Sequence, residues 1–189
     1  MRLEQAIEIF KRTGVMQEGH FRFTSGRHSD NYMQCARLFE FPSDSVVICS
    51  DVAEFFRDKG IDLVVGPALG GIIMAYEVAK LLNVRNIFAE REDGAMTLRR
   101  GFDVTAGSRA IVVEDVVTTG GSVKEVIELL RGHDVDVVGV GAVIDRSNGK
   151  VVFDVPFHAV ATMDLKSWEP EDCHLCRQGI PLMKPGSRK

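Results

Sequence analysis

No stretch of this 189-residue sequence approaches the ~20 consecutive apolar residues that a membrane-spanning helix requires. The first residues, MRLEQAIEIFKRTG, include acidic side chains and lack a continuous apolar core, so we expect neither a signal peptide nor a membrane anchor. The formal net charge is -4, so no overall basic character indicates a nucleic-acid partner. We therefore expect a single domain over residues 1–189 that has no membrane or nucleic-acid partner.

Cysteine is scarce, and four cysteines in a chain of this size do not make a disulfide framework. We expect reduced thiols and a cytoplasmic location. Cys173 and Cys176 form a C-x-x-C pair, which is half a zinc site, but the other two cysteines have no matching spacing. We interpret the pair as reduced structural or surface thiols, with a metal or redox role as the alternative. For His20 and His28 we expect packing or surface positions.

The pattern of apolar residues predicts alternating helices and strands. Helical spacing predicts helices over residues 3–13, 42–59, 69–83 and 120–132. Apolar runs predict strands over residues 61–66, 86–89, 109–115, 136–145 and 157–163, and residues 19–37 predict a strand, a turn and a strand. This order predicts an α/β fold with an open, mainly parallel twisted sheet and helices on both faces. Ligands of such sheets bind at the carboxyl ends of the strands.

The segment IVVEDVVTTGGSV, residues 111–123, places two carboxylates between an apolar strand and a glycine-rich turn. In TTGGS, the glycines let the backbone approach a ligand, and the helix start offers unpaired N–H groups to an anion. Neither G-x-x-x-x-G-K-[ST] nor G-x-G-x-x-G opens a helix here, which excludes a nucleotide P-loop. Ionised Glu114 and Asp115 only accept hydrogen bonds, so the combination predicts a sugar phosphate, with the acids on its hydroxyls. A capped strand–helix turn is the alternative for TTGGS alone.

This segment resembles the phosphoribosyl pyrophosphate signature of type I phosphoribosyltransferases, and the resemblance extends over most of the chain. The blocks FTSGRHSDNYMQCARL (23–38), GPALGGI (66–72), EREDGAMTLRRGF (90–102) and VIDRSNGK (143–150) resemble successive blocks of the orotate phosphoribosyltransferases. That family implies a core over about residues 43–165, a small N-terminal hood over about residues 1–40 completed by the C-terminal tail, and a mobile lid loop. It also implies phosphoribosyl transfer from 5-phosphoribosyl 1-pyrophosphate to orotate with Mg²⁺, for which no protein ligand is assigned.

The resemblance implies a role for each residue of the motifs. Glu114 and Asp115 bind the ribose hydroxyls and act in catalysis. The other contacts to phosphoribosyl pyrophosphate come from two loops, formed by Val116, Val117, Thr118, Thr119, Gly120, Gly121, Ser122, Ala68, Gly70 and Gly71. For Ala68, Gly70 and Gly71, the alternative is ordinary turn packing.

Three residues are expected to bind orotate. The planar guanidinium of Arg146 suits a carboxylate, which orotate has. The family resemblance adds Thr118 and Tyr32, the latter beside the pyrimidine ring. A pair between Arg146 and Asp145 is one alternative, and plain core packing is the alternative for Tyr32.

Residues 90–102, which we call the lid segment, are expected to cover the active site, because long loops without apolar period often do so. Residues 90–108 predict a long loop or a small hairpin with Ala95 and Met96 at its tip. Arg91, Arg99 and Arg100 are expected to neutralise pyrophosphate, and we assign Arg91 and Arg99 to catalysis. The resemblance implies a homodimer in which each lid reaches the neighbouring subunit's site, and a solvated charged hairpin is the alternative.

The sequence departs from better-known members of the family at its basic residues. Those members carry lysines in the lid and in the pyrophosphate loop, whereas this lid has only arginines and this loop has Leu69-Gly70-Gly71. A catalytic lysine is therefore not carried over. Two other functions remain as alternatives: a transferase for purines or other bases, which would lack the SGRHSDNY block, and a regulator that senses phosphoribosyl pyrophosphate while binding RNA or DNA.

Overall fold

Five α-helices and eight strands follow one another along residues 1–185, which are the residues that the computed structural model describes. The helices are α1 (Leu3–Arg12), α2 (Pro42–Phe56), α3 (Gly70–Leu82), α4 (Gly121–Arg131) and α5 (His174–Arg177). The strands are β1 (Met16–Arg22), β2 (His28–Met33), β3 (Leu63–Pro67), β4 (Arg85–Glu92), β5 (Ala95–Leu98), β6 (Arg109–Val117), β7 (Asp136–Asp145) and β8 (Phe157–Thr162). Residues 186–189, the end of the predicted domain, lie outside the described part. Within that part, every helix is too short or too polar to cross a membrane.

The central sheet has the strand order β5-β4-β3-β6-β7-β8, and only β4 and β5 pair in antiparallel fashion. Its middle strands are apolar along nearly their whole length because helices cover both faces. The predicted α/β fold with a mainly parallel sheet is confirmed.

The side chains of β6 alternate between two cores, which explains why helices lie on both faces of the sheet. Ile111 and Val113 pack into the core that α1, α2 and α3 cover, whereas Ala110 and Val112 pack into the core beneath α4. All four side chains are completely buried. The carboxyl end of β6 is thereby held rigidly in the middle of the sheet, at the end where the parallel strands terminate.

A small antiparallel hairpin of β1 and β2 joins the tail that follows β8, and we call these two parts together the hood. His28 and Trp168 exchange two backbone hydrogen bonds of 2.8 Å each. The Met183 amide donates to the His20 carbonyl at 2.7 Å, and the Arg22 amide donates to the Met183 carbonyl at 2.8 Å. The hood is therefore assembled from segments near both ends of the chain.

The lid segment begins as a hairpin, and not as an irregular loop. β4 continues to Glu92 and turns through Asp93 and Gly94, both of which have positive φ, before β5 pairs back along it. Met96 lies in β5 and is only 8% exposed, because it packs into the core beneath α4. The prediction that placed Met96 at the tip was wrong, since Asp93 and Gly94 form the turn.

Candidate active site

Two carboxylates lie side by side near the end of β6. Glu114 pairs in register with Ala142 of β7, so it is still part of the parallel ladder. The Val116 amide donates to Oδ1 of Asp115 at 2.9 Å, which restrains the orientation of that carboxylate. The strand continues through Val117, two residues beyond the predicted end, because Val116 and Val117 pair with the last residues of β7.

Burial raises the pKa of both carboxyl groups, and the charge of Asp115 raises the pKa of Glu114 further. Two adjacent ionised carboxylates in a partly desolvated crevice are unfavourable without partners. Groups that donate hydrogen bonds, such as hydroxyls, or a hard divalent cation with oxygen ligands would stabilise the ionised pair. Glu114 and Asp115 are therefore suited to bind a diol or Mg²⁺, and the oxygen donor set fits that ion.

The loop after β6 forms a small polar pocket directly beside this pair. Glu114 and residues 116–123 line the pocket. Gly120 has φ of 73°, and a Cβ there would come within 2.8 Å of the Val151 side chain. α4 begins at the next residue, so its N-terminal end and positive dipole face the pocket. The sequence-predicted phosphate loop, from Thr118 to Ser122, thus lies at a helix start with exposed hydroxyls.

A second glycine-rich loop meets the carboxylates from β3. Ala68 and Leu69, joined by a cis peptide bond, connect β3 to α3, and the Ala68 amide donates to the Ala89 carbonyl at 2.8 Å. A Cβ on Gly70 would collide with the Asp115 carboxylate, 2.7 Å from its Cγ. Gly71 is equally confined, since its Cβ would lie 2.8 Å from the Val113 carbonyl oxygen. The two loops and the acids therefore form one continuous crevice.

Arg146 lies on the opposite side of the carboxylates, immediately after β7. Its amide donates to the Val117 carbonyl at 2.8 Å, and its guanidinium carbon lies 5.8 Å from the centre of the Phe23 ring in the hood. The Asp145 carboxylate accepts from the Ser147 amide at 2.7 Å and the Gly149 amide at 3.1 Å. In residues 1–185, Asp145 thus caps its own loop instead of pairing with Arg146.

The thiol of Cys35 is buried near the charged groups of this site. Burial and then Asp115 raise its pKa, whereas Arg146 lowers it. Tyr32, the third residue expected near orotate, lies in β2 and is half-buried, with its ring 5.6 Å from that of Phe21. The described ring contact of Tyr32 is therefore with Phe21, within the hood.

The lid arginines are held by acidic side chains of their own subunit. The ion pairs are Arg91 with Glu125 at 2.9 Å, Arg99 with Glu92 at 3.3 Å and Arg100 with Glu90 at 2.6 Å. Each arginine side chain is about half exposed in these pairs, with values of 45%, 48% and 60%. Exposed pairs of this kind contribute only ~0–1 kcal/mol, so an incoming polyanion can replace the acids at little cost.

Comparison with known proteins identifies the family of this chain. Residues 45–172 match the family described as the phosphoribosyl transferase domain. Over all 189 residues of both chains, the sequence is 54% identical to the orotate phosphoribosyltransferase of Caldanaerobacter subterraneus. The chain belongs to the orotate phosphoribosyltransferases.

Further orotate phosphoribosyltransferases agree in sequence and in structure. The Thermotoga maritima protein is 56% identical over 181 residues, covering 96% of this chain and 97% of its own. The crystal structure of the Aeropyrum pernix protein matches with a TM-score of 0.72 at 27% identity, covering 82% of this chain and 92% of that one.

Sequence reasoning missed one cluster that the fold assembles. His20 and His28, expected only to pack or to lie at the surface, meet Cys173 and Cys176, and all four ligating atoms lie within 4.8 Å of one another. The C-x-x-C spacing was the available signal. The histidines could not be matched to it, because 153 residues separate His20 from Cys173.

Proposed function

We propose that this orotate phosphoribosyltransferase uses residues 1–189 as one catalytic domain, requires Mg²⁺ and works as a homodimer in the cytoplasm. The reaction transfers the phosphoribosyl group of 5-phosphoribosyl 1-pyrophosphate to orotate, giving orotidine 5'-monophosphate and pyrophosphate in the biosynthesis of UMP. The observation that supports the residue roles best is the half-buried pair of Glu114 and Asp115 between two glycine-rich loops. Four free cysteines support the cytoplasmic location.

Each part of the crevice binds a different part of 5-phosphoribosyl 1-pyrophosphate, the ribose donor. Glu114 and Asp115 accept hydrogen bonds from the two ribose hydroxyls, which relieves their mutual repulsion. Backbone N–H groups and hydroxyls of the loop from Thr118 to Ser122 bind the 5-phosphate at the start of α4. The loop containing Gly70 and its neighbours binds pyrophosphate, so the acids lie between the two anions and contact neither.

Mg²⁺ would be held mainly by oxygens of the bound ribose donor, and Glu114 and Asp115 are the residues whose oxygens could add to its coordination. Such an ion supplies positive charge that stabilises the departing pyrophosphate. The protein's own contribution is to hold the ribose hydroxyls and the two phosphate ends in fixed positions.

Orotate binds between Arg146 and the hood. The guanidinium of Arg146 pairs with the orotate carboxylate, Thr118 borders the ring, and Tyr32 contributes from β2. This arrangement presents N1 of orotate to C1 of the ribose, opposite the pyrophosphate. A base without a carboxylate leaves the Arg146 charge unpaired in this pocket, which disfavours its binding.

The chemistry needs no nucleophilic side chain. The bond from C1 to the pyrophosphate oxygen breaks, and its electron pair leaves with pyrophosphate. The lone pair of anionic orotate N1 forms the new bond from the opposite face, so C1 is inverted. The carboxylates of Glu114 and Asp115 stabilise the positive charge that develops on the ribose ring in between.

An exposed row of apolar residues supports association with a second copy of the chain. Leu69, Ile73 and Tyr76 lie on one face of α3 and its preceding loop, and they are 84%, 53% and 61% exposed. Contiguous exposed apolar side chains of this kind mark contact surfaces. Because the row begins in the pyrophosphate loop, a partner bound here lies next to the site, and we propose that its lid segment, with Arg91 and Arg99, reaches into it.

Turnover of different bases tests the assignment directly. We expect orotate to be converted in the presence of Mg²⁺, and adenine, guanine, hypoxanthine, xanthine and uracil to be converted far more slowly. The orotate reaction should stop when EDTA removes the metal and return when Mg²⁺ is added in excess. Faster conversion of a purine than of orotate would refute the assignment, and undiminished turnover in EDTA would refute the metal requirement.

Mixing two inactive variants tests whether the lid acts across the dimer. One variant carries Arg91→Ala and Arg99→Ala, and the other carries Glu114→Gln and Asp115→Asn. Mixed dimers pair an intact lid with intact carboxylates at one of their two sites. After subunit exchange at equal amounts we therefore expect up to about one quarter of the wild-type activity. A mixture as inactive as its two components would mean that each lid serves its own subunit.

A further inference from the structure

Four side chains with metal-binding atoms meet inside the hood, away from the crevice described above. His20 lies in β1 and His28 begins β2, while Cys173 directly precedes α5 in the tail and Cys176 lies within that helix. His20, His28 and Cys173 are 1%, 4% and 0% exposed, whereas Cys176 is open to solvent. The cluster thus joins segments from opposite ends of the sequence around one buried point.

Four of the six distances between the ligating atoms are close to those of a tetrahedral site, and the other two, from the Cys173 Sγ to the Cys176 Sγ and to His28 Nδ1, are within 4.8 Å. His20 Nε2 lies 3.0 Å from His28 Nδ1, 3.4 Å from the Cys173 Sγ and 3.6 Å from the Cys176 Sγ. The Cys176 Sγ lies 3.3 Å from His28 Nδ1. Zinc–nitrogen bonds of ~2.0–2.1 Å and zinc–sulfur bonds of ~2.3 Å imply N–N edges of ~3.3 Å and N–S edges of ~3.5 Å. These four separations fall within a few tenths of an ångström of the corresponding edges.

The hydrogen bonding of His20 determines its tautomer and therefore which ring nitrogen can bind a metal. Its Nδ1 lies 2.8 Å from the Ile180 carbonyl oxygen, and because a carbonyl only accepts, Nδ1 carries the proton. Nε2 is then unprotonated and directs its lone pair at the other three ligands. A ring N–H bonded to a backbone carbonyl is the usual outer partner of a metal-binding histidine.

We propose that His20, His28, Cys173 and Cys176 bind one Zn²⁺ ion in a closed, structural Cys₂His₂ site. Two thiolates and two imidazoles in a tetrahedral arrangement are a ligand set that zinc favours. With four protein ligands no coordination position remains for substrate, so the ion has no role in the chemistry of the crevice. This assignment replaces the interpretation of Cys173 and Cys176 as a simple reduced pair.

The ion fastens the tail to the hairpin of the hood. A two-stranded hairpin is at best marginally stable alone, and side-chain hydrogen bonds connect this one to the tail. These include the Arg27 Nε donating to the Ser167 hydroxyl at 2.9 Å and the Ser29 hydroxyl donating to the Lys166 carbonyl at 2.7 Å. Four metal–ligand bonds add a cross-link between segments that these few bonds connect, and they hold Phe23 and Tyr32 in position beside the orotate pocket.

Metal analysis of the untagged full chain, purified with a phosphine reductant, tests the site. We expect about one Zn²⁺ per chain after dialysis, and a lower Tm after a strong chelator removes it. Cys176→Ala and His20→Ala should lose most of the zinc. Exposed His133→Ala should keep it, and so should Glu114→Gln plus Asp115→Asn, which excludes the catalytic crevice as the binding place. Co²⁺ in place of Zn²⁺ should give the visible bands of a tetrahedral thiolate site.

Folding of the variants does not decide the outcome, because the wild-type chain is measured as well. A stripped, reduced wild-type chain that takes up no Zn²⁺ when one equivalent is added would overturn the proposal. Zinc content that is unchanged in both Cys176→Ala and His20→Ala would overturn it too. Failure of the orotate assay with zinc retained would refute the proposed function and leave this site intact, so the two proposals are separable.

Discussion

Glu114→Gln combined with Asp115→Asn is expected to lower kcat by about 10³-fold, a loss typical of removing a main electrostatic contact to the transition state. The amides keep the shape of the carboxylates but provide no negative charge for the ribose ring as pyrophosphate departs. They also present N–H donors to hydroxyls that were donating. Steady-state turnover of orotate at saturating substrates measures the effect.

The same double variant is expected to be more stable than the wild type in the absence of ligands. Burial raises the pKa of both groups in the folded chain, so between their ordinary pKa values and the raised ones the folded state binds more protons than the unfolded state. Wild-type stability therefore falls as the pH rises through that window, because ionisation penalises only the folded state. The variant has no such groups and should lose less stability between about pH 5 and about pH 8.

Glu128→Gln is the matched control for this prediction. Glu128 lies exposed on α4, so its replacement removes an acid of the same helix-and-loop unit without touching the crevice. It should change neither kcat nor the pH dependence of Tm. Near-normal turnover in the double variant would refute the role of the two acids on the ribose. If the pH dependence of Tm in the double variant equals that of the wild type, the raised pKa values of Glu114 and Asp115 are refuted.

Arg146→Ala is expected to raise the KM for orotate by about 10- to 100-fold, the cost of losing a charge-assisted bidentate hydrogen bond. The KM for phosphoribosyl pyrophosphate should change little, because Arg146 follows β7 while the phosphate loops follow β3 and β6. Arg146→Lys keeps the charge without the planar fork and should recover only part of the affinity. Initial rates with each substrate varied in turn provide both constants.

Arg131→Ala provides the control for Arg146→Ala. Arg131 is a surface arginine at the end of α4 that pairs with Asp154 at 2.7 Å. Its loss should leave both KM values unchanged. Equal increases of the two KM values in Arg146→Ala would indicate a general disturbance of the site and would contradict a specific contact to the orotate carboxylate.

Local sequence patterns predict the helices and the central strands. The structure differs from the prediction where the length of a strand depends on its pairing partner. The continuous apolar run before Glu114 predicts a central parallel strand, because only a strand covered on both faces is apolar throughout. It does not reveal that β6 continues through Val117, since that depends on the pairing of Val117 with Asp145. Likewise, the charged residues of β4 show no period, and its extension to Glu92 follows from the antiparallel partner β5.

The site was predictable as far as it is local in sequence. The acids and the phosphate loop are contiguous, so one segment indicates both the hydroxyl-binding and the anion-binding function. The contact between Gly70 and Asp115 depends on the packing of β3 against β6, and the cluster of His20 with Cys173 depends on how the tail meets the hood. Spacing along the chain contains no information on either, because the partners belong to different elements.

The confinement of Gly70 has a consequence for how this enzyme can change. Its backbone lies against the Asp115 carboxylate with no space for a methyl group, so the donor side of the crevice tolerates almost no variation at this point. Arg146 instead faces Phe23 of the hood, which is built from the ends of the chain and attached at the edge. Preference for the acceptor base can therefore be redesigned, or drift in evolution, while recognition of the ribose donor stays intact.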